Sequence, residues 1–178
     1  MPAARQTVYI SITAPDRLGL ISAITARLFD LDANLADTSF AILGTGCEFT
    51  AVCDMPGDTS VEAVARDLGK LPELEDARIK VEPFDFDAAR DPNAQITHRI
   101  EIAGGDRPGL VARLTEAFLD YNANVVRMNS VHVPADDGTA HYVTRFAVFI
   151  PEARATSCIA AISNTAQQLE CSCKVRAV

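Results

Sequence analysis

The chain has 178 residues, 48% apolar and only 6% aromatic, enough material for one large core or two small ones. Its net charge is −8, with 24 acids against 16 Lys and Arg and no basic run, which disfavours direct binding to nucleic acid or to an anionic membrane. Five cysteines (Cys47, Cys53, Cys158, Cys171 and Cys173), no secretory h-region at the N-terminus and no apolar run near the roughly 18 residues of a span predict a cytoplasmic chain with reduced thiols.

Val8, Ile10 and Ile12 alternate with Tyr9 and Ser11, the period of a strand with one buried face. The loop Ala14-Pro15-Asp16-Arg17 follows. A helix then carries Leu20, Ile21, Ile24, Leu28 and Leu31 on one stripe and stops near Asp32-Ala33-Asn34. A second strand spans about 35–43, Gly44-Thr45-Gly46 turns the chain, and a third strand spans about 47–55, closed by Pro56. Val61, Val64, Ala65 and Leu68 mark a second helix; Ala77, Ile79 and Val81 mark a short last strand.

The same pattern returns 90 residues later. Asp16, Arg17, Gly19, Leu20, Thr25, Asp30, Ala33 and Asn34 recur as Asp106, Arg107, Gly109, Leu110, Thr115, Asp120, Ala123 and Asn124. In the second copy Ile96, Ile100 and Ile102 mark the first strand, and Leu110, Val111, Leu114, Phe118 and Tyr121 the first helix stripe, with Pro108 in its first turn. Strands over about 125–133 and 139–150 flank the turn Ala135-Asp136-Asp137-Gly138, and Pro151 closes the second of them; if helical, it takes a first-turn position. Ile159, Ile162, Ala166 and Leu169 form the last helix; Cys171, Cys173 and Val175 form the last strand. The expected fold class is α+β: two tandem ferredoxin-like βαββαβ modules at 1–83 and 96–178, joined by the acidic linker 84–95. Each has an antiparallel sheet with helices on one face, and modules this small are expected to pair, as a homo-oligomer or within the chain.

The one segment repeated almost letter for letter outside a core stripe is the first strand-to-helix loop. Asp16-Arg17-Leu18-Gly19-Leu20 and Asp106-Arg107-Pro108-Gly109-Leu110 each place a glycine in the first helical turn, where it suggests close backbone approach to something. Open N–H groups at a helix start attract a carboxylate. Asp16 and Asp106 can accept from an ammonium group, and Asn34 and Asn124 are placed to bring an amide to the same cleft. Together these groups suit a zwitterionic amino acid. Each residue also has a structural explanation: Asp as an N-cap, Gly for tight packing, Asn as a left-handed helix stop.

These loops, the Ala-Asn pairs and the element order resemble the ACT domain, a family of small-molecule-binding regulatory modules. The resemblance covers nearly the whole chain. It implies side-by-side pairing, with an amino acid bound at the interface by the first loop and the start of the second strand. It implies ligand roles for Asp16, Gly19 and Asn34, and for Asp106, Gly109 and Asn124. A chain of two such modules and nothing else also resembles the glycine cleavage system transcriptional repressor group, which regulates amino-acid metabolism genes. The acidic composition and the lack of a helix-turn-helix then imply action through a protein partner, a DNA-binding regulator. The alternatives are a regulatory subunit of a metabolic enzyme and a pure interaction module.

Other signals point to packing or surface. Cys171 and Cys173 share a strand face without a second ligand pair, and His132 and His141 flank the second hairpin as a cross-strand surface pair. His98 stands alone. No nucleophile elbow, P-loop or GxGxxG is present. Arg17 and Arg107 sit where acylphosphatase, of the same topology, keeps its phosphate loop, but the glycine pattern of that loop is absent. A non-catalytic chain without cofactor or metal is expected.

Overall fold

The alternation of Val8, Ile10 and Ile12 makes a central strand, and everything else in the first module is laid against it. The structure is a computed structural model that describes residues 4–86, 92–134 and 140–178. Contacts divide the chain into two units, Met1–Phe86 and Asp87–Val178. In the first, the order is β1 (Arg5–Pro15), α1 (Leu20–Asp30), β2 (Asn34–Leu43), β3 (Gly46–Pro56), α2 (Val61–Leu68), a 3-10 turn at Pro72–Leu74 and β4 (Arg78–Pro83). In the second, a 3-10 turn at Pro92–Ala94 precedes β5 (His98–Gly104), α3 (Leu110–Asp120), β6 (Asn124–Pro134), β7 (Ala140–Phe149), a 3-10 turn at Glu152–Arg154, α4 (Ala155–Gln168) and β8 (Ser172–Ala177).

Each unit holds one antiparallel four-stranded sheet, in the orders β2-β3-β1-β4 and β6-β7-β5-β8. This is the βαββαβ sandwich expected from the sequence. The core lies between sheet and helices: Ile10, Ile12, Phe49 and Cys53 meet Leu20, Ile24, Leu28, Val64 and Leu68 in the first module. In the second, Ile100, Ile102, Phe146 and Val148 meet Leu114, Phe118, Cys158 and Ile162, with Phe118 and Phe146 edge-to-face at 5.3 Å. Each fully buried aliphatic side chain contributes about 1.5–3 kcal/mol. The opposite sheet face carries Tyr9, Ser11 and Thr13 in one module and Arg99 and Glu101 in the other, none fully buried.

Several local expectations shift. Strand β1 runs on through Ala14 and Pro15, paired with Cys47 and Gly46, so the loop begins only at Asp16. Ile21 turns out of the α1 stripe and is 42% exposed, because core contact is complete with Leu20, Ile24 and Leu28. Pro151 is not helical: at ψ 132 it is extended and caps the 3-10 turn before α4. His132 lies opposite Tyr142, and His141 opposite Val133. The one-residue offset puts the two histidines on opposite faces of the hairpin, where they cannot pair. The turn assigned to 135–138 lies outside the described residues. Part of the stretch assigned to the linker is ordered by the second module, since Asn124 Nδ2 donates to the Asn93 carbonyl at 3.0 Å. Among the described residues no helix is long and apolar enough to cross a membrane, no group of acids, His and Cys gathers to hold a metal, and all five cysteines are free.

Candidate functional site

The DRxGL segments are type II turns. The Leu20 amide donates to the Arg17 carbonyl at 3.3 Å and the Leu110 amide to the Arg107 carbonyl at 3.2 Å. The third turn residue is Gly19 (φ 86, ψ −5) or Gly109 (φ 83, ψ 0). A type II turn needs positive φ there and favours Pro one place earlier, which accounts for both glycines and for Pro108. This corrects two expectations. The glycines are the residues before the helices, not first-turn residues, and Pro108 stands outside the helix. A Cβ added at either glycine would meet nothing within 4 Å, so backbone conformation, not close approach within the fold, requires glycine.

Neither helix has a side-chain N-cap, so Asp16 and Asp106 do not serve as caps. Among the described residues Asp16 is tethered through its amide, which donates to the Thr45 carbonyl at 3.0 Å, and its carboxylate is exposed. It stands near Cys47, whose thiol is pushed up first by burial and then by the Asp16 charge. Ala23 is the first α1 residue to bond back, to Gly19 at 2.9 Å, which leaves the Ile21 and Ser22 amides without a backbone acceptor among the described residues. Asp16, Arg17, Leu18, Gly19, Leu20, Ile21, Ser22 and Phe40 line an open cavity of about 350 Å³. Its wall offers the exposed Asp16 carboxylate, two amides at a positive helix end that have no backbone acceptor among the described residues, the Arg17 side chain and an apolar surface.

The arginines of the motif point elsewhere. Arg17 Nη1 donates to the Pro72 carbonyl at 3.0 Å and lies 3.9 Å from Glu75, with Nη2 4.0 Å from Asp76. Arg107 pairs with Glu170. Asp76 and Glu170 each stand two residues before the last strand of their module, and both have positive φ. Each arginine thus ties the first loop to the turn leading into the last strand, a contact that no sequence pattern announces.

The Ala-Asn pairs also have a local cause. Asp32 and Asn122 take φ 54, with amides donating to Phe29 and Leu119, while Ala33 and Ala123 donate to Leu28 and Phe118. These are Schellman motifs. The left-handed residues are therefore Asp32 and Asn122, and Asn34 and Asn124 are the first residues of β2 and β6.

The structure separates the asparagines from the loops. Pro15 faces Gly46, while Asn34 faces Asp54 eight residues further along β3, about 26 Å away. In the second module Gly104 faces Tyr142 and Asn124 faces Phe149, about 23 Å apart. The expected common cleft does not form within one module, and Asn124 spends its amide on Asn93. Asp106 has a neighbour of its own, His132 at 3.8 Å.

The architecture is thus two ferredoxin-like βαββαβ modules in tandem. Its fold is shared at full length. A protein of unknown identity from Galdieria sulphuraria matches over 98% of this chain and 99% of its own, at 18% identity and TM-score 0.75. A protein described as a "putative glycine cleavage system transcriptional repressor" matches over 99% of both chains, at 12% identity and TM-score 0.68. An ACT domain protein from Streptococcus pneumoniae matches over 44% of this chain and 89% of its own, at 15% identity and TM-score 0.39. No family model and no curated protein matches the chain.

Proposed function

We propose that this chain is a non-catalytic regulatory protein that senses an amino acid, glycine or serine first among them, and controls amino-acid metabolism genes through a protein partner. The observation that carries the reading is the cavity at the Asp16–Ser22 turn, where a carboxylate and two helix-start amides are left free side by side. The ammonium group of an amino acid finds the Asp16 carboxylate; its carboxylate finds the Ile21 and Ser22 amides. Arg17 lines the same cavity with its guanidinium held by the Pro72 carbonyl, Glu75 and Asp76, and Arg107 is held by Glu170, so each arginine positions its turn. The full-length likeness to a protein described as a glycine cleavage regulator supports the choice of ligand and role.

A ligand that also uses Asn34 needs a second module running antiparallel to the first, so that the loop of one meets the β2 start of the other. Exposed apolar side chains support such pairing: Leu18 in the turn, Ile21 and Phe29 on α1, and Ile42 and Leu43 on edge strand β2. The assembly then contains a dimer of modules.

Titration calorimetry of the full chain with the twenty amino acids tests the reading, read together with melting temperature. At a hundredfold excess over Kd a ligand adds about 2.7 kcal/mol of stability. Binding that Asp16→Asn abolishes without unfolding the chain is the expected result. No heat and no thermal shift with any of the twenty at millimolar concentration refutes it. Capture of a metabolic enzyme instead of a DNA-binding regulator replaces the gene-control step with direct enzyme regulation.

A further inference from the structure

The outward face of the second sheet is organised in rungs, each rung taking one residue from each of β8, β5, β7 and β6. One rung is balanced: Glu101 lies opposite both Lys174 and Arg145, bonding Arg145 Nε at 2.9 Å with Lys174 Nζ at 3.8 Å. The next rung reads Arg176, Arg99, Ala147, Arg127. Arg99 and Arg176 are direct cross-strand partners, and among the described residues no carboxylate lies within ion-pair distance of Arg99, Arg127 or Arg176. Like charges set directly opposite destabilise a sheet. Here three exposed guanidinium groups share one rung in a chain of net charge −8. The corresponding rung of the first module carries Glu82, Tyr9 and Val52, so the fold itself does not call for cations there.

The small side chain of Ala147 leaves a trough between Arg99 and Arg127, two strand spacings or about 9.6 Å apart. The groove over this rung has a volume of about 450 Å³. We propose that it binds a small polyphosphate, with a diphosphate unit seated over Ala147 between the Arg99 and Arg127 forks and Arg176 at its end. Guanidinium groups match phosphate oxygens two at a time, and four of the five cations lining the groove are Arg. A single carboxylate leaves the rung with surplus positive charge; a diphosphate balances it. Among the groove residues the sole aromatic, Phe146, points into the core, so no exposed aromatic ring offers a base a stacking platform. That absence, with the acidic remainder of the chain, favours a small soluble ligand over nucleic acid. The groove shares no lining residue with the amino-acid cavity of the first module.

The test is calorimetric titration of the full chain with inorganic pyrophosphate, with orthophosphate as comparator. Arg99→Gln and Arg127→Gln are set against Arg113→Gln, which removes the same charge from exposed α3. The expected result is tighter binding of pyrophosphate than of orthophosphate, weakened about tenfold or more by each rung variant and less than about twofold by the α3 variant. The rung variants should also melt no lower than the parent, since each removes a like charge; that separates lost binding from lost folding. No binding at millimolar pyrophosphate overturns the proposal. Equal weakening by all three variants overturns it in favour of diffuse Coulomb attraction. A single-stranded oligonucleotide that binds through the same arginines more tightly than pyrophosphate overturns it in favour of nucleic acid.

Discussion

Replacing Gly19 by alanine separates backbone strain from steric crowding, because the structure supplies one without the other. At φ 86 the residue is left-handed, and its missing Cβ faces open space. The left-handed conformation costs an L-residue about 1–2 kcal/mol. Alanine returns about 0.4–1 kcal/mol by narrowing the unfolded ensemble. The net loss for Gly19→Ala is therefore about 1 kcal/mol, and Gly19→Asn, which tolerates this region, costs less. Gly104→Ala is the counter-case. Gly104 has no positive φ, but its Cβ would come within 2.5 Å of Cys171 Sγ and 3.0 Å of Cys171 Cα. Overpacking of that kind costs about 3 kcal/mol. Equilibrium urea unfolding followed by circular dichroism reads both changes as shifts in midpoint. A Gly19→Ala loss above about 3 kcal/mol, or a harmless Gly104→Ala, refutes the assignment of the first glycine to turn geometry and the second to packing.

Asn122→Gly is expected to stabilise the second module by about 0.5–1 kcal/mol, since the left-handed position of its Schellman motif prefers glycine; the urea midpoint should rise. Burial pushes the Cys53 thiol up to about 11, from an ordinary value near 9. A thiol raised on folding stabilises fully below its unfolded pKa, and the contribution fades as pH climbs through the folded one. First-module stability should therefore fall between pH 9 and 11, more steeply than in Cys53→Ala, in a melting series. In a thiol-labelling time course at pH 8 the half-buried Cys173 should react well before Cys53.

The sheets and helices were legible because their signals are periodic. Val8, Ile10 and Ile12 can bury together only in a strand, and Leu20, Ile24 and Leu28 only in a helix. Repetition at a fixed offset doubled each of these signals. The loop was legible as something special but not as what it is: turn hydrogen bonds, a positive φ and a helix-entry glycine leave the same letters in a sequence. The contacts of its arginines are hidden for a different reason. Asp76 and Glu170 sit at different offsets from Arg17 and Arg107, so the shared contact with the turn before the last strand is invisible in an alignment of the copies. The distance between Asn34 and the loop was hidden too, because proximity in sequence across a helix says nothing about which end of a sheet a strand starts from. The charged rung of the second sheet leaves no sequence signal because its members lie on four strands and come together only in the register of the folded sheet.

The helix after the first strand is bracketed in both modules by the same pair of devices, a glycine turn at entry and a Schellman stop at exit, so both copies count out eleven residues. Punctuation of that strictness relieves the intervening surfaces of any duty to specify length or alignment. Where the first copy carries Tyr9, Val52 and Glu82 on one rung, the second carries Arg99, Ala147 and Arg176 in the same cross-strand register. Rigid bookends of this kind leave the outward face of a repeated unit free to vary.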